Sequence, residues 1–215
     1  NLLIDGTNYI NLKVFDKAQN VYISTDVFYV KKDTTPPSQV SLFSPVNYST
    51  TNILNIEFKW NSSTDNIGIS GYIIDISTNE FSSIYLSSSV ISTQTIITLS
   101  SGRWWWRIKA KDLANNYSIY SDTWTIFIGT APPTIVNNQT GDDLWRNSNN
   151  GGYNLSFYDN SGTGLNKIQV RSSQYSDGSG NIYFNWSDLI TNINSSSYAQ
   201  PIQLTQTLFD LLTNG

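Results

Sequence analysis

The sequence predicts an all-β fold of β-sandwich modules in tandem, and three observations carry that prediction. Strong helix formers are scarce: charged residues make up 13 % of the 215, and only two of the 16 acidic side chains, Glu57 and Glu80, are glutamates. Asn, Ser, Thr, Ile and Tyr take their place, the mix of pleated strands joined by polar turns. The second observation is a gapless internal repeat, and the third is a period-2 alternation of apolar side chains inside each copy.

The repeat aligns GTNYINLKVFDKAQNVYISTDVFYVKKDTTPP, from Gly6 to Pro37, with GRWWWRIKAKDLANNYSIYSDTWTIFIGTAPP, from Gly102 to Pro133. Asp16 pairs with Asp112, Ala18 with Ala114, Asn20 with Asn116, and Pro36 and Pro37 with Pro132 and Pro133. The offset, 96 residues from position 6 to position 102, is the length of one sandwich module of about 100 residues. Within the copies Ile10, Leu12 and Val14, and Trp104, Trp106, Ile108 and Ala110, alternate as on half-buried strands, with Asn11, Lys13, Arg107, Lys109 and Lys111 facing out. The turns DKAQN and DLANN return the chain into second strands at 27–30 and 124–128, which makes each copy a hairpin. Aspartate opens each turn as an acceptor for backbone N–H groups, and the fourth position, Gln19 or Asn115, needs a positive φ. The paired prolines then end the strand and mark a module boundary, since proline cannot donate to a ladder.

The order turn-Gly, aromatic strand, Asp-x-Ala-x-Asn, strand, Thr-x-Pro-Pro resembles the last two strands and linker of bacterial surface fibronectin type III and related immunoglobulin-like repeats. The resemblance covers residues 1–133 well and the rest loosely. It implies tandem immunoglobulin-like/fibronectin type III sandwiches in three parts: 1–35, the C-terminal hairpin of an incomplete module; 36–131, a complete sandwich; and 132–215, the opening strands of a further module without its closing hairpin. In the complete module Phe58, Trp60, Tyr72, Ile74 and Ile76 fall on inward-facing positions, and Trp60 and Trp104 resemble the family's core aromatics. In the last part Tyr153, Leu155 and Phe157, then Ile168 and Val170, then Tyr183 to Trp186 read as strands.

Several function classes are disfavoured by composition. With no His and no Cys, the usual general base, thiolate nucleophile and common zinc ligands are missing, so the chain is not expected to be an enzyme. A net charge of -4 offers no field for phosphates, and nucleic acid is not an expected partner. No apolar run approaches the about 18 residues that span a bilayer, and no signal peptide is visible. The absence of Met suggests a processed or excised piece of something longer.

Candidate binding residues are few. Strand alternation puts Trp104 and Trp106 in the core and turns Trp105 outward between Arg103 and Arg107, where it could stack on a sugar or simply pack against the two cations. Asp142, Asp143 and Asp159 are weak candidate calcium ligands, since no compact calcium loop is spelled and turn capping is the favoured role of each; no other cofactor is expected. Seven Asn-x-Ser/Thr sequons stand at Asn47, Asn61, Asn116, Asn138, Asn154, Asn185 and Asn194, numbers that an Asn-, Ser- and Thr-rich chain yields by chance.

The resemblance implies a non-catalytic, extracellular structural component of a surface fibre, sheath or adhesin, with surface glycans as a further partner. The alternative is a carbohydrate-binding accessory segment of a larger secreted enzyme. Leu211 to Gly215, LLTNG, matches Leu2 to Gly6, LLIDG, at an offset of 209, the difference between positions 2 and 211. The first part therefore supplies the hairpin that the last part lacks. This predicts head-to-tail assembly, with copies of the chain or adjoining modules of one polypeptide as partners and completion of incomplete sandwiches as the contact; the equal alternative is an excised fragment whose missing strands lie elsewhere in a parent protein.

Overall fold

The first repeat copy folds as a two-stranded hairpin in the computed structural model, which describes residues 3–138, 148–149 and 151–212. Strand β1 (Gly6–Phe15) pairs antiparallel with β2 (Val21–Lys32), with a bulge between Ile10 and Leu12. The Asp16 carboxylate accepts the Asn20 N–H at 2.8 Å and the Asn20 amide at 2.7 Å, and Gln19 takes a φ of +69°. The turn therefore closes as its residues dictate, at the cost of a left-handed glutamine. The hairpin's apolar side chains meet little: Leu12 is 44 %, Val14 59 % and Phe28 51 % exposed.

The central module runs through β3 (Leu42–Ser44), β4 (Ser49–Thr51), β5 (Asn55–Trp60), β6 (Ile69–Ser77), β7 (Leu86–Val90), β8 (Gln94–Thr98), β9 (Gly102–Asp112) and β10 (Trp124–Ile128). Its strands form a three-stranded sheet in the order β3-β5-β8 and a five-stranded sheet in the order β4-β10-β9-β6-β7. This two-sheet order is a fibronectin type III-like sandwich. Every second residue of β5, β6 and β9 is an apolar side chain that enters the core: Phe58, Ile74, Ile76, Trp106, Ile108 and Ala110 are fully enclosed. Phe58 and Trp124 both meet Trp106 edge-on, at 4.9 and 5.9 Å between ring centres, and Trp60 meets Tyr72 at 5.6 Å. The second DxAxN turn repeats the first: Asp112 accepts the N–H groups of Ala114 and Asn116, each at 2.8 Å, and Asn115 has a φ of +72°.

Beyond the second pair of prolines, β11 (Thr134–Asn137), β12 (Leu155–Tyr158) and β15 (Ser197–Tyr198) form one sheet, and β13 (Ile168–Ser173) and β14 (Ile182–Ile190) form another. A short helix, α1 (Gln206–Asp210), follows, capped by the Thr205 hydroxyl accepting from the Leu208 N–H. The core of this part is small, gathered around Phe157, Leu165, Ile168 and Ile202. Among the described residues it repeats the β3-β5-β8 sheet of the central module and the β6-β7 pair of the other sheet, with no counterpart to β4, β9 or β10.

By packing, the chain divides into two units, Asn1–Ser49 with Asn55–Thr98 and Trp104–Ile126, and Thr50–Leu54 with Leu99–Arg103 and Phe127–Gly215. Among the described residues no helix is long and apolar enough to cross a membrane.

Candidate functional site

The outer face of β6 and β9 carries the polar side chains that alternate with the core. Asp75, flanked by the enclosed Ile74 and Ile76, is itself only 1 % exposed. Its carboxylate accepts the Ser87 and Tyr120 hydroxyls, each at 2.7 Å, and the Arg107 guanidinium lies 3.8 Å away. Arg107 stands 4.0 Å from the centre of the Phe81 ring and 3.9 Å from that of Tyr120, and Lys109 stands over Tyr117 and Tyr120 at 4.7 and 4.8 Å. Cations and aromatic rings thus cover this face with one another.

That arrangement corrects the expectation for Trp105. It is 9 % exposed, recessed with Tyr48, Glu80, Thr123 and Thr125 around it. Alternation does not give the neighbours around it, which come from segments distant in sequence. Arg107 is committed to Asp75 and two rings, and Arg103 stands 5.4 Å from the centre of the Phe127 ring. Among the described tryptophans it is Trp186, on β14, that is open, with 59 % of its surface exposed and the Arg171 guanidinium 5.0 Å from its ring centre. Gln169 and Asp188 are partners across β13 and β14, and Asp188 accepts from Gln169 at 2.7 Å and from Lys167 at 3.0 Å.

A second cluster lies where the linker after β2 meets the DLANN turn. One carboxylate oxygen from each of Asp33, Asp65 and Asp112 lies within 4.8 Å of the others. Asn116 binds this group together: its amide donates to Asp112 at 2.9 Å and to the side chain and carbonyl of Asp33, each at 3.3 Å. Asn66 donates to Asp33 at 3.0 Å, and Asp65 Oδ2 accepts the Ile67 N–H at 2.9 Å while its Oδ1 is buried without a partner. Beside them Gly6, Lys31, Ile67 and Leu113 line a cleft of about 490 Å³. These three carboxylates are the residues whose hard oxygens could hold a divalent cation. Sequence spacing missed the grouping because Asp33 and Asp112 come from different repeat copies; the signal was present only as an aspartate before the prolines and another opening the turn.

Burial pushes the Asp112 carboxyl up, but the hydrogen bonds from Asn116 and Ala114 outweigh it and hold the group below the ordinary carboxylate range. A carboxylate with a depressed folded pKa adds stability that is present above the unfolded value, about 3.9, and is lost as pH falls through the folded one. Urea melts are therefore expected to show wild-type stability declining below about pH 4, with a shallower decline in Asp112→Asn. Identical pH slopes in the two proteins would contradict the assignment.

Asp159 is 4 % exposed and its oxygens accept from Ser161, Thr163 and Gly164 of its own turn. Burial raises its pKa and these hydrogen bonds lower it further than burial raises it. The side chain acts as a turn cap. Asp142 and Asp143 lie outside the described residues.

No family model matches the chain. Chitinase Chi52 of Paenibacillus xylanexedens is 28 % identical over 157 residues, 71 % of this chain and 28 % of that protein. Chitinase A1 of Niallia circulans is 36 % identical over 104 residues, 46 % of this chain and 13 % of that protein. The chain thus spans less than a third of the length of these curated relatives. Among solved structures, fibronectin(III)-like modules of Clostridium thermocellum CbhA align with 41 % of this chain and 94 % of their own, at 15 % identity and a TM-score of 0.30. The strand order itself makes the chain all-β, with a fibronectin type III-like sandwich at its centre.

Proposed function

We propose that the chain is a non-catalytic accessory segment of a larger secreted enzyme that degrades an insoluble polysaccharide. The observation that carries this reading is the 36 % identity to chitinase A1 over 104 residues, about one sandwich module in a protein many times longer. The missing His and Cys agree with a supporting rather than a catalytic role. In this reading the sandwiches are spacers, and Trp186 is the polysaccharide contact, a largely exposed indole on β14 with the Arg171 guanidinium beside its ring. Trp105 is too recessed to serve.

The test is co-sedimentation of the 215-residue chain with chitin and with cellulose. Retention on chitin that falls several-fold in Trp186→Ala but not in Trp105→Ala supports the reading. Failure of the wild-type chain to bind either polymer, or binding indifferent to Trp186, would overturn the contact it assigns.

A further inference from the structure

We infer that Asp33, Asp65 and Asp112 form a calcium site that ties the linker after β2 to the central sandwich. The three come from that linker, from the segment between β5 and β6, and from the end of β9. One carboxylate oxygen of each lies within 4.8 Å of the others. Ligands of one calcium ion, at about 2.3–2.6 Å from the metal, stand no further apart than about 5 Å, so all three oxygens can reach a single ion. Carboxylates gathered this closely repel one another. Among the described residues no lysine or arginine forms an ion pair with any of them; Lys32, beside Asp33, pairs with Asp5 at 3.5 Å. The donors that reach them are neutral: the Asn66 and Asn116 amides and backbone N–H groups.

Asp65 Oδ1 is shut off from solvent and accepts no hydrogen bond. A buried carboxylate oxygen left in that state costs free energy that a bound cation recovers. The chain holds the same turn a second time with this need met. Asp65-Asn66-Ile67-Gly68 and Asp159-Asn160-Ser161-Gly162 share the pattern Asp-Asn-x-Gly. Their glycines take φ of +109° and +86°, and each aspartate accepts the N–H two residues on, at 2.9 and 2.8 Å. In the second turn the Ser161 and Thr163 hydroxyls donate one to each oxygen of Asp159. Ile67 and Ile69 stand at those two places in the first turn, and neither side chain can donate.

The linker changes with the turn. At the offset of 96, the difference between positions 6 and 102, Asp33 is matched by Gly129, where a Cβ would collide with the Ser161 and Thr163 side chains. The later turn is thus closed by hydroxyls packed against a bare linker. The earlier turn has lost the hydroxyls and gained a linker carboxylate, with Asp112, 1 % exposed, as the third. Replacing neutral donors by a further hard anion suits an external cation and leaves the protein short of donors without one. Calcium bridging Asp33 to the other two holds the linker, and the strand pair before it, to the central sandwich. The site shares no residue with the Trp186 contact and does not rest on it.

Calorimetric titration of the EDTA-treated 215-residue chain with calcium chloride, carried to about 10 mM to cover the about 10⁻⁴–10⁻³ M affinities of extracellular calcium modules, is expected to saturate. Asp33→Asn and Asp65→Asn are each expected to weaken binding at least several-fold, whereas Asp159→Asn, in the turn that hydroxyls already satisfy, leaves it unchanged. Thermal melts separate loss of the ligand from loss of the fold. Calcium is expected to raise the midpoint of the wild type and to leave that of Asp33→Asn where it stands in EDTA. Heats that do not saturate, binding undiminished in Asp33→Asn and Asp65→Asn, a midpoint of Asp33→Asn that rises as the wild type's does, or a loss in Asp159→Asn equal to that in Asp65→Asn would each overturn the inference.

Discussion

Trp106→Ala is expected to lower the unfolding free energy by about 3–5 kcal/mol, the largest loss from any single truncation in the central module. The side chain has no exposed surface and is held edge-on by Phe58 from the facing sheet and by Trp124 from the neighbouring strand. Alanine leaves a void bounded by both sheets, which neither can fill without moving the other. Its indole N–H has no hydrogen-bond partner, so Trp106→Phe removes an unsatisfied donor along with part of the volume and is expected to cost much less. Trp105→Ala, a recessed rather than enclosed side chain, is expected to lose about 2 kcal/mol. Urea melts of the three variants check the order; equal losses for Trp106→Ala and Trp106→Phe would mean that burial volume is not what the position contributes.

Asp75→Ala is expected to cost about 2–3 kcal/mol, chiefly through what it leaves behind. The Ser87 and Tyr120 hydroxyls lose their acceptor, and Arg107 keeps its place between two rings without a counter-ion. Removing both charges in Asp75→Ala with Arg107→Met is expected to recover part of the loss, because an uncompensated charge is worse than none. A double variant whose loss is the sum of the two single losses would show the two side chains to be energetically independent.

Much of the fold was legible because the repeat and the alternation are local signals. The strand positions of Phe58, Ile74, Trp106 and Ile108 follow from period 2 alone, and the left-handed residues Gln19 and Asn115 follow from turn chemistry. Cover was not legible. Trp105 was expected to face solvent, yet it is 9 % exposed, in a cleft that it shares with Tyr48, Glu80 and Thr123 from far along the chain. The Asp33, Asp65 and Asp112 group escaped for the same reason, since three segments far apart in the sequence supply one carboxylate each. The helix at Gln206–Asp210 also went unread: five residues are too few for a 3.6-residue period to register.

Hydrogen–deuterium exchange of the full chain tests most directly the claim of one tightly packed sandwich at the centre of the chain. β5, β6 and β9, whose core side chains are enclosed, are expected to be strongly protected, while the exposed strands β1 and β2 exchange fast. Protection of β1 and β2 equal to that of β6 would contradict the account.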